Sequence, residues 1–169
     1  MDARRRLVVD GLAAGLLGYA VVVVFFVVLN LMVGRSPFHT AALFGEAIFT
    51  GLRDPAALTL APGPILAFNG VHMAAYLVFG FFGAWLVHET ELHPQLWYLA
   101  LFLFIAVTLF GYAAVLAMNA LVGSLVAAWS VVAASLLSAV AMAVYLTVSH
   151  RSLLERVDEA QETRPGPVE

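Results

Sequence analysis

A chain of 169 residues, 63% of them hydrophobic and 11% charged, with a mean hydropathy of +0.96, carries more apolar surface than a domain of this size can bury. Its solvent must be lipid, and a formal net charge of −3 with arginines gathered mostly at the two ends excludes a nucleic-acid footprint. The absence of cysteine removes thiol nucleophiles, thiolate zinc sites and cysteine-held clusters, and the absence of lysine removes Schiff-base chemistry and lysine-dependent phosphate loops.

The first apolar run, about 12–33, is long enough at ~1.5 Å per residue to cross a bilayer core. Arg4, Arg5 and Arg6 precede it as in a signal peptide, but the run is too long and lacks a small-x-small cleavage pattern, so a retained helix is expected. A second span, about 65–87, opens after Pro62-Gly63-Pro64, and a third covers about 96–118. The fourth, about 121–148, follows a tight stretch around Asn119 and Gly123 that makes the last two helices antiparallel neighbours. The fold class expected is therefore all-α: a polytopic membrane protein with four transmembrane helices in an up-down bundle, occupying 1–151.

Between the first two spans, Ser36-Pro37 reads as an N-cap and a first-turn proline, starting a short helix over about 37–51. Phe38, Ala42, Gly45, Phe49 and Leu52 fall on one side, with His39, Glu46 and Thr50 about a quarter turn round, a pattern that predicts an interfacial helix. Packing on the outer ends of the bundle is the alternative, and a re-entrant placement is a third. Asp54, after Arg53 and before Pro55, reads as a turn residue. Residues 152–169 read as a polar cytoplasmic tail, partly disordered.

Arginines cluster near both termini, against only Arg35 and Arg53 in the first loop, so the positive-inside bias places both ends in the cytoplasm. Trp85, Trp97 and Tyr98 flank the short inner loop as interfacial anchors would. A bacterial plasma membrane is the expected location.

Few residues in the spans carry chemistry. His72 is the one histidine or charged side chain well within a span, and Asn69, His72 and Tyr76 share about a 60° arc of one helix face. By depth, Asn30, Asn69, His72, Tyr112 and Ser130 fall in the outer half and are expected to form one hydrogen-bonded group. That group reads either as interhelical glue or as a site for a quinone, a lipid headgroup or a proton. Haem is disfavoured because no second histidine lies within a span.

On the inner side, His88, Glu89, Glu91 and His93 share the HETELHPQ loop, with His150 at the same membrane face, and His88, Glu91, His93 and His150 form a candidate metal set. The spacing differs from the helical H-E-x-x-H, whose two imidazoles share a face, and a solvated loop is the plainer reading. Asp10 reads as a local ion-pair partner of the nearby arginines.

Small residues give a packing signal: Gly11, Gly15 and Gly18 on the first span, and Ala127, Ser130, Ala134, Ser138 and Ala141 on the fourth. With these stripes and no reaction motif, the sequence points to a non-catalytic accessory or assembly subunit of a larger membrane complex, with a membrane-protein partner or a second copy alongside lipid. No cofactor is predicted by a motif. The alternatives are a small transporter or channel component, or a quinone-, lipid- or metal-binding protein built on His72.

Overall fold

The computed structural model describes residues 3–93, 98, 99, 102, 105, 109, 111–113, 116 and 127–149, and all regular structure among them is helical. Three helices are long and apolar enough to cross a membrane: α1 (Ala3–Met32), α3 (Pro62–Leu92) and α4 (Ala128–Ser149). The short α2 (His39–Phe49) and a single 3-10 turn, Pro55–Ala57, lie between the first two. The other parts of the expected third span, of 121–126 and of the tail lie outside the described residues.

Local chemistry sets the ends of these helices. α1 closes in a Schellman motif: Arg35 N–H donates to Asn30 O at 2.8 Å and Gly34 N–H to Leu31 O at 3.1 Å. The motif needs a left-handed residue, and Gly34 supplies it with φ of +71°. At its other end α1 begins at Ala3, well before Leu12, because arginines on the first turns can extend to water without interrupting the backbone ladder. Helix α3 starts at Pro62, whose missing N–H costs nothing in a first turn, and runs through His88 to Leu92. The inner loop expected from His88 onward is thus largely the last turn of α3. Asp54 Oδ1 accepts from Ala56 N–H at 2.9 Å and caps the Pro55–Ala57 turn, as a turn residue should.

α1 is the centre of the packing and runs antiparallel to both α3 and α4. Gly11 lies against Phe81, Gly15 against Leu77 and Gly18 against Tyr76, so α1 and α3 step in opposite directions. A Cβ at Gly15 would stand 2.8 Å from the Leu77 Cα, and one at Gly80 would overlap the carbonyl oxygen of Gly11. Glycine is needed on both sides of this seam, because in lipid helices associate by close packing instead of by expelling water. The glycine stripe of α1 therefore finds its partner within this chain.

On its other side α1 meets α4 through the second small-residue stripe, where Ser130, Ala134 and Ser138 are buried and Ala141 is half-buried. Ala127 precedes the helix and is exposed. At the N-terminal end of α1, Arg6 Nη2 donates to Ser149 O at 2.9 Å, placing a cation on the last carbonyls of α4. Arg6 also stands 3.9 Å from Asp10, and Tyr145 OH donates to Asp10 Oδ1 at 3.5 Å. The expected local ion pair of Asp10 is present, and it also ties α1 to α4.

Because α1 is antiparallel to both, α3 and α4 run in the same direction. Tyr76 packs with Ala134 and Gly83 faces Leu146, which fixes the same sense. Between them, Tyr98, Phe102, Ile105, Leu109, Ala113 and Leu116 are helical and exposed, at the three- and four-residue steps of one helix face.

Candidate functional site: an apolar cavity at one end of the bundle

A cavity of about 590 Å³ lies where α2 meets the C-terminal half of α1 and the N-terminal halves of α3 and α4. Tyr19, Val22 and Phe26 of α1, Phe44 of α2, Phe68, Asn69, His72 and Tyr76 of α3, and Val131 and Ala134 of α4 line it. Its rim includes Phe38, Ile48, Leu66 and Ala75, all exposed and apolar, so the mouth suits hydrocarbon and not water. Among the described lining residues there is no carboxylate, ammonium or guanidinium.

An aromatic column forms one wall. Phe44 stacks on Phe68 at 5.5 Å and 21° between planes, and Phe68 stacks on His72 at 5.3 Å and 18°. Tyr76 then meets the His72 imidazole edge-on at 5.1 Å, and Tyr19 approaches it from α1 at 6.1 Å. Three of these residues recur every four positions on α3, which brings them onto one face, and α2 adds Phe44 at the top.

The polar groups are divided among separate pairs instead of one cluster. Asn30 Oδ1 accepts from Thr40 Oγ1 at 3.1 Å and its Nδ2 donates to Pro37 O at 3.3 Å, so Asn30 fastens the start of α2 to α1. Asn69 Oδ1 accepts from Tyr19 OH at 2.8 Å while Nδ2 donates to Ile65 O at 2.8 Å. Ser130 turns back to Ala127 O at 2.7 Å, closing the first turn of α4. Tyr112 is half-buried and helical but does not line the cavity. Of the expected group, only Asn69 and His72 line the cavity, with Tyr76 of the same α3 face beside them. Asn30, Asn69 and Ser130 each pair with a nearer group on their own or an adjacent segment.

His72 is different. No hydrogen bond joins its imidazole to another described residue, and the ring is part of the cavity lining. Tyr19 was missed by sequence reasoning, although it stands four residues after Gly15 and so lies beside the glycine seam that meets α3.

α2 sits differently from a helix lying on the membrane with its polar side outward. Thr40 and Glu46 are buried with Ala42, Leu43 and Gly45, while Phe38, Ile48 and Phe49 are exposed. A Cβ at Gly45 would overlap the Pro64 carbonyl, so α2 rests directly on the start of α3. Glu46 accepts from Thr59 Oγ1 at 2.6 Å and from Thr59 N–H at 3.3 Å, holding the 50–61 loop against α2. The buried carboxylate is tolerated because local donors meet it. His39, at the first turn of α2, is held below the usual histidine value by burial and then by the nearby Arg35 guanidinium.

The candidate metal set does not assemble among the described residues, where no three potential ligands converge. His88 lies on α3 and is half-buried, His93 is exposed just beyond the helix end, and Glu91 is in the last turn. Five residues along a helix turn a side chain by about 140°, which separates the two imidazoles. His150 lies outside the described residues. No family model, no curated protein and no solved structure matches this chain.

Proposed function

We propose that the chain is a four-span, non-catalytic integral membrane protein that takes an uncharged hydrophobic ligand from the bilayer into the cavity under α2. The observation that carries this reading is the cavity itself: about 590 Å³, walled by aromatic rings and entered past apolar side chains. That volume falls in the range of about 300–1,000 Å³ common to small-molecule sites, and a few polar groups in an apolar wall are the usual recipe for orientation.

The direction of the described helices supports the fourth span of this reading. α3 and α4 run in the same direction, so a further crossing by the chain that joins them fits this arrangement. The exposed stripe from Tyr98 to Leu116 supports a lipid-facing helix there. Arginines at both ends of the chain favour cytoplasmic termini, as in a bacterial plasma-membrane protein. Native mass spectrometry of the full chain released from mild detergent tests the ligand reading. A neutral adduct on the wild type that is lost on filling the mouth with Ala75→Trp supports it, whereas no adduct, or one indifferent to the substitution, refutes it.

A second reading, an accessory or assembly subunit with a membrane-protein partner or a second copy, draws on Ala67, Gly70 and Ala74. They are exposed at helical spacing on α3, and nothing described lies within 4 Å of a Cβ placed on Gly70. Copurification of a stoichiometric partner, abolished by Gly70→Leu, tests it.

A further inference from the structure

We propose that the ligand class is a lipid-soluble quinone, its ring laid along the Phe44–Phe68–His72 wall and a carbonyl oxygen accepting from His72 and Asn69; this rests on the ligand-binding reading above. Shape is the first argument. Rings inclined at only 21° and 18° to their neighbours present a layered aromatic wall, and a flat ring gains most against such a surface by offset or edge contact. A flexible acyl chain gains nothing from ring orientation.

Hydrogen-bond accounting is the second argument. Asn69 is fixed in orientation, because its amide nitrogen must be the atom facing Ile65 O and its oxygen the atom facing Tyr19 OH. One amide N–H is used and one remains. His72 in its neutral form supplies another N–H, unmatched among the described residues. Two spare N–H donors on one face, three residues apart, call for an acceptor without a charge, which is what a ring carbonyl offers.

Charge is the third. Phosphate or carboxylate headgroups would be stripped of water against a wall whose described residues supply no cation, at a large desolvation cost. A quinone brings no charge, and its tail leaves through the rim at Ile48, Leu66 and Ala75 into the hydrocarbon.

The test uses the full chain in phosphatidylcholine nanodiscs free of quinone, with radiolabelled decyl-benzoquinone and, separately, decylbenzene, which has the same tail and no carbonyl. The expected result is saturable binding of one decyl-benzoquinone per chain, at least about tenfold tighter than decylbenzene. His72→Phe keeps the stacking and removes the donor, and should weaken decyl-benzoquinone by about tenfold while leaving decylbenzene unchanged. Ala75→Trp, checked by circular dichroism for intact helix content, should abolish both. Equal binding of the two probes, lost only in Ala75→Trp, overturns the quinone assignment and leaves the hydrophobic-ligand reading standing. Binding of neither probe to folded wild type overturns both.

Discussion

Replacing Gly80 by alanine adds one methyl group at the tightest point between α1 and α3. Its Cβ would stand 2.7 Å from the Gly15 Cα and overlap the Gly11 carbonyl oxygen. Carbon atoms rest comfortably at about 3.5–4.0 Å, so the helices would have to part by roughly 1 Å. The obstructing atoms are backbone and cannot rotate away, and overpacking of this kind costs about 1–3 kcal/mol. Gly70→Ala, ten residues earlier on the same helix, meets nothing within 4 Å among the described residues and removes a flexible glycine, a change worth up to about 1 kcal/mol in favour of the helix. The two variants therefore have opposite signs despite identical chemistry. Equilibrium unfolding of the full chain in decyl maltoside micelles by titrated dodecyl sulfate, followed by near-ultraviolet circular dichroism, measures the difference. Equal stability of Gly80→Ala and Gly70→Ala would refute the α1–α3 seam.

Thr59→Val keeps the shape of the side chain but removes the hydroxyl that meets Glu46, leaving a buried acceptor short of its closest donor. A loss of about 1–3 kcal/mol is expected, concentrated in the loop, and faster amide exchange over 50–61 with unchanged exchange in α1 checks it. His39 gives a pH dependence. Its folded-state value is lowered from 6.5 by burial and by Arg35, so the unfolded chain takes up a proton first as pH falls. The stability it contributes is present above pH 6.5 and is lost as pH drops through that value toward the folded one. The midpoint of thermal unfolding should fall more in wild type than in His39→Asn between pH about 8 and about 5; a smaller fall in wild type would contradict the placement of His39 beside Arg35.

Much of the fold was legible in the sequence because the bilayer imposes simple rules. An apolar run of sufficient length forms a helix in lipid whatever its neighbours do, since every backbone group must be bonded within the segment. α1, α3 and α4 were readable on that ground, and so were the small-residue stripes at Gly11, Gly15 and Gly18 and at Ser130, Ala134 and Ser138. Helix ends were less legible. α3 continues past His88 because glutamate, threonine and leucine there are compatible with helix, and polarity marks the edge of the lipid, not the end of the backbone ladder.

Composition, the three long apolar helices and the unusual presence of His72 in one of them were determined by the sequence alone. Tertiary structure decided how the polar side chains paired: Asn30 with Thr40, Asn69 with Tyr19, and His72 left facing a cavity with an aromatic wall. It also turned Glu46 inward, against the pattern expected of a helix lying on a membrane. The physical reason is range. Hydropathy and helical period act along the chain and can be read from it, whereas a hydrogen-bond partner is chosen by which helices approach and at what depth, and that choice is made by the glycine contacts between them.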